Sequence, residues 1–547
     1  MNAAKLLVKC LENEGVEYIF GIPGEENIHF MDALIGSPIK FITTRHEQGA
    51  AFMADVYGRL TGRAGVCLAT LGPGATNLVT GIADANMDRA PVVALAGQAS
   101  TERMHKESHQ HYDLVRLFEP ISKYSASIPL PTVIPEIVRK SFKLAQSEKP
   151  GVCFIELPEN IASWKIDKEL APIKVQFPEL PSPCPEKIEK ACQTIAAAKN
   201  PIVLAGNGVI RQNASATLSR FAELLNLPVA TSFMAKGAIP TSHPNSLGAI
   251  GLKSNDFVGQ AFEMADVVIC VGYDMVEYSP EYWNRNQNKK IIHIDSMPAE
   301  VDEHYVLEVG IESNISMALE LLIDSTPNKN EFASASLKEQ ISAEYREHEF
   351  SQSFPVLPQK IVWDLRAVLE NDDIVISDVG AHKMWMSRMY QAERPNTCIV
   401  SNGFAAMGIA VPGAIAAKLA FPSKRAVAVT GDAGFMMNSQ EIETAMRIGT
   451  PTVNLIWNDS QYGLIKWHQL KHFGRSTNID FDNPDFVKYA ESFGAKGFRV
   501  GAADELQPIL EEALKSETVC IIDCPVDYSE NMKLTEKLNA LGQTAVH

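Results

Sequence analysis

The chain has no run of about 18 consecutive apolar residues, the length one helix needs to cross a bilayer. It is also short of basic residues. Its 49 lysines and arginines face 66 aspartates and glutamates, and the resulting net charge of −17 argues against nucleic acid or an anionic membrane as a partner. That balance leaves room for a buried pocket that takes an anionic small molecule. Cysteine pairs are missing too. Cys10, Cys67, Cys153, Cys184, Cys192, Cys270, Cys398, Cys520 and Cys524 stand singly, with no CxxC and no neighbouring histidine cluster. This speaks against a zinc site, a thiol nucleophile or a disulfide framework, and the odd number suits small core residues in a reducing cytoplasm. The opening Met1-Asn-Ala-Ala-Lys-Leu-Leu-Val-Lys9 reads as an amphipathic helix, because Lys9, Glu12 and Glu14 interrupt what a secretory leader would keep apolar.

What is present predicts several α/β domains. With 547 residues, 46% of them hydrophobic and 21% charged, the chain has the make-up of a soluble protein of three or four domains. The first block, residues 1–170, carries short apolar runs at 18–20, 39–42, 65–70, 92–96 and 152–157 that alternate with helical stretches. Runs with so little polar alternation suit a parallel sheet covered on both faces. Prolines then crowd Leu180-Pro-Ser-Pro-Cys-Pro185, which reads as a linker. The central block, residues 186–345, contains Pro201-Ile-Val-Leu-Ala205-Gly-Asn-Gly208, Ala265-Asp-Val-Val-Ile-Cys-Val-Gly272 and Lys290-Ile-Ile-His-Ile-Asp295. Gly206, Gly208 and Gly272 suit either a dinucleotide or a tight turn after a strand, and Gly-x-Gly alone is a weak signal. A more polar stretch, residues 326–354, predicts a second linker with a surface helix. The third block spans 355–525, followed by a tail at 526–547 expected to be ordered at its start and frayed at its end. The first and third blocks share a layout without a sequence repeat.

The third block holds the most informative pair. Asp432 follows Arg425-Ala-Val-Ala-Val-Thr430-Gly431, and Asp459 follows Val453-Asn-Leu-Ile-Trp457-Asn458. The segment between them, residues 439–447, reads as a helix. A strand–helix–strand crossover sets two parallel strand ends side by side, where ligands of such sheets bind. The small residues Ala433 and Gly434 leave backbone N–H groups open to phosphate, with a helix start behind them. Two convergent carboxylates repel unless a cation lies between them, so the first hypothesis is Mg²⁺ holding a diphosphate.

Three further clusters stand out. Gly21-Ile-Pro23-Gly24 goes with Arg45-His46-Glu47-Gln48-Gly49-Ala50, where Glu47 stands between a strand and an alanine-rich helix. Taken alone, Glu47 reads equally as a carboxylate stabilised by the helix dipole. Thr70-Leu-Gly-Pro-Gly74-Ala-Thr-Asn77 is a turn-to-helix junction suited to close backbone approach. Asp378-Val379-Gly380-Ala381-His382-Lys-Met-Trp385 precedes Ser401-Asn-Gly-Phe404-Ala405-Ala406-Met407. His382 can donate to phosphate; Met407 alone reads as ordinary core.

Gly431-Asp432-Ala433 followed by Asn458-Asp459 resembles the diphosphate motif of thiamine diphosphate enzymes, commonly Gly-Asp-Gly with Asn-Asn after this interval. Ala433 replaces the third Gly, and Asp459 replaces the second Asn while keeping an oxygen ligand. The segments around Gly21–Gly24, 45–50, 72–77 and Met407 resemble the corresponding parts of the pyruvate oxidase and acetohydroxyacid synthase superfamily. The similarity covers nearly the whole chain, in the order pyrimidine-binding, central and diphosphate-binding domains. Gly272-Tyr-Asp-Met-Val-Glu-Tyr-Ser-Pro-Glu-Tyr-Trp-Asn284, residues 486–495, Pro525-Val-Asp-Tyr-Ser-Glu-Asn531 and Ser108-His-Gln110 are similar to catabolic acetolactate synthases. The Met-His-Gly passage by which flavin-containing members hold FAD is replaced by Ile250-Gly-Leu-Lys-Ser254, so the resemblance implies an FAD-independent enzyme, with no length left for an attached regulatory domain.

The resemblance implies three α/β domains of the thiamine diphosphate-binding fold, with thiamine diphosphate and Mg²⁺ as cofactors. It implies decarboxylation of one pyruvate and condensation of the remaining two-carbon unit with a second pyruvate to give 2-acetolactate. Glu47, Gln110, Met407 and His468 become the catalytic candidates. Glu47 hydrogen-bonds the aminopyrimidine, Met407 wedges the cofactor into its bent form, and Gln110 and His468 position the acceptor. The cofactor contacts implied are Pro23, Gly24, Thr70, Gly74, Asn77, Val379, Gly380, Ala381, His382, Ala405, Gly431, Asp432, Ala433, Gly434, Tyr462, Gly463, Leu464 and Ile465. Asp432, Asp459 and the carbonyl of Gln461 hold the metal. His109 and His111 shape the wall. With Glu47 on the first sheet and the metal pair on the third, a homodimer is the minimum active unit expected, and a homotetramer the implied assembly. Three features depart from the pattern: Phe404-Ala405-Ala406 replaces two Gln and a Thr, Glu25-Glu26-Asn27 is unusually acidic, and His468 stands where biosynthetic enzymes place the Trp that favours 2-ketobutyrate. Loss of that Trp suggests pyruvate as acceptor. The alternatives are a thiamine diphosphate-dependent 2-keto acid decarboxylase and a carboligase with another acceptor.

Overall fold

Eighteen strands form three six-stranded sheets in a computed structural model that describes residues 1–167, 170–176, 178–252, 256–327 and 335–531. The first sheet contains β1 (Tyr18–Gly21), β2 (Lys40–Thr43), β3 (Gly65–Ala69), β4 (Val92–Gln98), β5 (Tyr124–Ser127) and β6 (Val152–Pro158), in the order β2-β1-β3-β4-β6-β5. The second contains β7 (Pro201–Ala205), β8 (Val229–Thr231), β9 (Ser246–Ala249), β10 (Val267–Val271), β11 (Lys290–Asp295) and β12 (Leu307–Glu312), ordered β12-β11-β10-β7-β8-β9. The third contains β13 (Ile374–Ser377), β14 (Cys398–Val400), β15 (Ala426–Gly431), β16 (Val453–Asn458), β17 (Lys496–Arg499) and β18 (Cys520–Pro525), ordered β14-β13-β15-β16-β18-β17. Every ladder is parallel.

The uninterrupted apolar runs explain the buried interior of each sheet. Strands β3, β4 and β6 are buried at every residue, as are β7 and β10, because helices cover both faces. Edge strands β5 and β17 are half-exposed or more, and their sequences lack such runs. Eight of the nine cysteines are buried; Cys184 alone is exposed. No helix among the described residues is long and apolar enough to cross a membrane.

Contacts divide the chain into two compact bodies. One comprises Met1–Pro178, Gly403–Ser423 and Phe435–Thr452, and so contains the first sheet together with two segments from the sequence of the third block. Here helix Ala410–Ala420 packs against helix Glu47–Thr61. The other comprises Glu179–Asn402, Lys424–Gly434 and Val453–His547 and contains the second and third sheets.

Two sequence expectations are refined. The 326–354 stretch does contain a helix, Ala335–Arg346, but it is no mere surface element: Leu337, Ile341 and Tyr345, one turn apart, are buried in the core. Its Glu344 pairs with the buried Arg388, whose guanidinium also reaches Asp256. In the central domain Gly206 and Gly208 abut Gly272 so closely that a Cβ on Gly206 would lie 2.4 Å from the Gly272 carbonyl oxygen. Gly272 itself has φ +57°. Tight packing of one strand-end turn against another accounts for these glycines. The start of the tail is ordered as expected: the Trp385 indole N–H donates to Asn531 Oδ1 at 2.7 Å. The rest of that tail, like Lys253 and Ser254, lies outside the described residues.

Candidate active site

In the first body the sequence clusters converge around Glu47. This residue opens helix Glu47–Thr61, with His46 as N-cap accepting the Gln48 N–H on Nδ1 at 3.1 Å. Glu47 is 7% exposed, so its carboxyl sits in a nearly dry environment at a helix N-terminus. Its Oε2 accepts from the Asn77 side-chain amide at 2.9 Å, and a Cβ on Gly74 would lie 3.2 Å from its Oε1. Both neighbours come from helix Pro73–Met87, whose start is the Gly-rich junction read in the sequence. Thr70 completes the group. A Cβ on Gly24 would lie 2.3 Å from the Thr70 Cβ, which places the Pro23-Gly24 turn directly against it.

The acidic 25–27 stretch is structural. Thr70 Oγ1 donates to Glu26 at 2.9 Å, and the Asn27 side chain donates to the Ala69 carbonyl at 2.9 Å. These buried side chains tie the Gly24 turn to the end of β3. Gln110 lies beside Gly72, where a Cβ would come 2.8 Å from the Gln110 carbonyl oxygen; Gln110 and His109 are exposed. The His111 ring meets Gln98 at 3.1 Å, and Gln98 in turn donates to Glu156 at 2.7 Å.

Sequence reasoning missed Glu441. It is fully buried at the start of helix Glu441–Arg447, and its carboxylate accepts the N–H groups of Arg45 and His46 at 3.0–3.2 Å. Thr444 Oγ1 donates to the same carboxylate at 2.6 Å. Burial pushes the Glu441 carboxyl above the ordinary range, opposed by these donors. The turn leading into Glu47 is thus fixed from the 435–452 segment. Met407 is half-buried in the neighbouring 403–408 stretch, where Ala405 has φ +60° and Phe404 is exposed.

In the second body β15 and β16 pair in register, with Gly431 beside Trp457, so Asp432 and Asp459 emerge from adjacent strand ends. The crossover differs in detail from the expected single helix: Asp432–Asn438 and Glu441–Arg447 are separate helices. Asp432 Oδ1 accepts the Ala433 N–H at 2.8 Å, and Oδ2 accepts the Ser460 N–H at 2.7 Å. Asn483, absent from the sequence reading, donates to Asp432 Oδ2 at 2.7 Å and to Asn458 Oδ1 at 3.1 Å. Burial, and then the Asp432 charge, push Asp459 up to about 7. Two such carboxylates form a donor set suited to a hard divalent cation. No group of three or more His, Cys, Asp or Glu able to hold a metal occurs among the described residues, so backbone oxygens or a ligand's own oxygens must complete any shell. The Gln461 carbonyl, which accepts the Gly463 N–H at 2.9 Å, is the adjacent one.

His382 opens the other side of this region. It lies in helix Ala381–Met389 after β13, is 2% exposed, and its Nε2 is buried without a hydrogen-bond partner. Burial lowers it to about 3, so the imidazole is neutral. A Cβ on Gly431 would lie 3.4 Å from His382 Nδ1, so the glycine keeps space open beside the ring. With glycines Gly380 and Gly431 beside Nδ1 of this neutral ring, the strand ends that carry the carboxylate pair leave room for an anionic group held through a cation. Val379 and Gly380 form the turn before this helix, and Ala433 and Gly434 stand at the start of the 432–438 helix.

Helix Gly463–Phe473 follows Gln461 and Tyr462. Leu464, Trp467, His468, Lys471 and His472 on it line a cavity of about 730 Å³, together with Lys383, Met384, Asn402 and the 275–279 loop. Ile465 is half-exposed. The cavity walls do not include Asp432 or Asp459.

Comparison with known proteins gives the chain's family. Residues 1–117 match the N-terminal TPP binding domain of thiamine pyrophosphate enzymes, residues 188–322 their central domain, and residues 378–524 their C-terminal TPP binding domain. An acetolactate synthase of Bacillus subtilis is 38% identical over 538 residues, covering 97% of this chain and 94% of its own length. A probable acetolactate synthase large subunit of Methanococcus aeolicus is 36% identical, covering 98% of this chain and 93% of its own length. A catabolic acetolactate synthase of Raoultella terrigena is 34% identical, with 98% and 97% covered. The three matched domains follow the same order as the three sheets, and these relatives run almost end to end with the chain, which therefore belongs to the acetolactate synthase family of thiamine pyrophosphate enzymes.

Proposed function

We propose that the chain is an acetolactate synthase that uses thiamine diphosphate and Mg²⁺ to join two molecules of pyruvate with loss of CO₂. One observation supports this beyond family membership: a buried carboxyl, Glu47, fixed by Asn77 at a helix start, occurs in the same chain as the Asp432/Asp459 pair at two strand ends. Bound thiamine diphosphate supplies an electron sink for cleaving the bond to the departing carboxylate. Glu47 would hydrogen-bond N1′ of the aminopyrimidine and so favour its 4′-imino tautomer, whose imino nitrogen would serve as the base. Met407 would support the cofactor from below, and the backbone of Ala405 and Met407 would hold its ring. Asp432, Asp459 and the Gln461 carbonyl hold Mg²⁺; His382, Ala433 and Gly434 face the diphosphate. Pro23, Gly24, Thr70, Gly74 and Asn77 line the pyrimidine side, and Val379, Gly380, Ala381, Tyr462, Gly463, Leu464 and Ile465 the other. Their apolar members exclude water, which favours loss of a carboxylate.

The acceptor is a second pyruvate. The absence of Trp at His468 leaves the 730 Å³ cavity without that indole, and Lys383 and Lys471 on its wall supply positive charge for the acceptor carboxylate. Gln110 and His468 position it. Relatives named as catabolic and as large subunits match this chain at similar identity, so the assignment to the FAD-independent branch rests on the replaced 250–254 passage. Glu47 of one chain and the metal pair of another complete each site in a homodimer or homotetramer working in the cytoplasm.

The test is incubation of the purified protein with thiamine diphosphate, Mg²⁺ and pyruvate, without FAD. Products are identified by mass spectrometry before and after acid. Acetolactate, turned by acid into acetoin, is the expected outcome; acetaldehyde alone would make the protein a decarboxylase, and a requirement for FAD would overturn the branch assignment.

A further inference from the structure

In the first body one guanidinium faces three buried carboxylates. Arg59 Nε meets Asp55 at 2.6 Å, and its Nη2 meets Asp84 Oδ2 at 3.1 Å and Asp88 Oδ2 at 2.9 Å. Arg59 is 7% exposed and the three aspartates are fully buried. Asp84 and Asp88 are one helical turn apart at the end of helix Pro73–Met87. Burial and the neighbouring aspartate charges hold Asp84 well above the ordinary carboxylate range, which marks the cluster as costly to maintain by itself.

Each of the two helix aspartates divides its oxygens. The Oδ2 atoms go to Arg59, while the Oδ1 atoms go to a backbone more than three hundred residues away. Asp88 Oδ1 accepts the N–H groups of Gly403 at 2.6 Å and Phe404 at 3.2 Å, and Asp84 Oδ1 accepts the Ala406 N–H at 3.1 Å. Between these anchored amides lies Ala405 at φ +60°, a left-handed conformation that a residue with a Cβ adopts at a cost. Gly403 fits the same design, because a Cβ there would lie 2.5 Å from Asp88 Oδ1. Carboxyl acceptors on both sides of a strained residue can hold a conformation that an alanine does not choose unaided.

We propose that Asp84 and Asp88, oriented by Arg59, are positioning residues that hold residues 403–406 in this conformation and thereby set Ala405 and Met407 for the cofactor. The assignment of Ala405 and Met407 to the pyrimidine ring rests on the function proposed above; the holding of the loop does not. The cluster works through the loop backbone and touches neither substrate nor cofactor. A buried ion cluster serving only stability would have no need to spend two carboxylate oxygens on a distant strained turn.

The experiment compares wild type with Asp88→Asn, Ala405→Gly and the double variant. Readouts are amide hydrogen exchange of residues 403–406 without cofactor, the Kd for thiamine diphosphate with Mg²⁺ by titration calorimetry, and the urea midpoint. Asp88→Asn is expected to speed exchange at 403–406 and weaken the Kd about tenfold, the scale of one strained residue's cost. Ala405→Gly, which removes the Cβ penalty, is expected to restore most of that affinity in the double variant. Unchanged exchange at 403–406, or a lost affinity that Ala405→Gly does not restore, would overturn the proposal. Should Asp88→Asn fail to fold, Asp84→Asn, which bears on one loop amide rather than two, is judged by the same criteria. Met407→Ala separates the two layers of inference. An unchanged Kd in Met407→Ala would remove the cofactor role of the loop, while exchange at 403–406 still decides whether the aspartates hold it.

Discussion

Glu47 is nearly buried, and the Asn77 side-chain amide, a neutral donor, holds its carboxyl in place. The proton relay assigned to it needs that carboxyl, whereas the fold needs only its shape. Glu47→Gln should therefore leave the urea midpoint and Mg²⁺ binding close to wild type while kcat falls by about 10²–10⁴, the usual contribution of acid–base catalysis. Wild-type activity in this variant would remove the role. At this scale the sequence was legible where a charge interrupts an apolar context, as at Glu47, Asp432 and Asp459. It was not legible for Asn483, whose partners Asp432 and Asn458 lie far away in the chain, nor for Glu441, which acts on Arg45 and His46. Asp84 and Asp88 did leave a trace: carboxylates four apart at the end of a helix that carries no other charged residue.

Among the elements, the start of helix Glu47–Thr61 depends on helix Glu441–Arg447. Gly49 is the point of closest approach, since a Cβ there would lie 2.6 Å from Glu441 Oε1 and 2.9 Å from its Cγ. Gly49→Ala should displace the Glu441 carboxylate from the Arg45 and His46 amides, lowering stability by about 1–3 kcal/mol as overpacking does. It should also lower kcat, because the displaced turn leads into Glu47. A variant with a lowered urea midpoint and unchanged kcat would show that Glu441 supports the fold alone. The elements themselves were read where the apolar runs are long. Strands β3, β4, β6, β7, β10, β11, β15 and β16 coincide with such runs. Strand β5 was missed because Tyr124-Ser-Ala-Ser127 has none and is only half-buried at the sheet edge. Helix Ala335–Arg346 was placed on the surface from its polar composition, although Leu337, Ile341 and Tyr345 repeat every fourth residue.

For the whole molecule, the order of three parallel α/β domains followed from strand patterning and two linkers. The division into two bodies did not, because residues 403–423 and 435–452 join the first sheet through tertiary packing that leaves no local mark. The buried thiols give the molecule a characteristic pH response. Burial pushes Cys10, Cys67, Cys153 and Cys270 up to about 12 and Cys398 to about 11, against 9.0 for a free thiol. Above pH 9 the unfolded chain releases protons that the folded chain retains, so stability falls as pH rises toward 12, by about 1.4 kcal/mol per thiol for each pH unit. Lys236, lowered to about 8 by burial, acts in the opposite direction, as do Lys289 and Lys338, against these five thiols and the likewise raised Cys520 and Cys524. The urea midpoint under reducing conditions should drop between pH 8 and 10.5; a constant midpoint would contradict the thiol burial.

Assembly has its own test at this scale. Mixing Glu47→Gln with Asp432→Asn protein, after dissociation and reassociation, should recover activity that neither has alone if each site draws on two chains. No recovery would place both groups of a site in one chain.

The central claim is that the two-carbon unit left by one pyruvate is captured by a second pyruvate. The most direct measurement is the ratio of pyruvate consumed to CO₂ released during turnover with thiamine diphosphate and Mg²⁺. The account predicts two pyruvates for each CO₂; a ratio of one to one would mean that the unit leaves as aldehyde and that the protein is a decarboxylase.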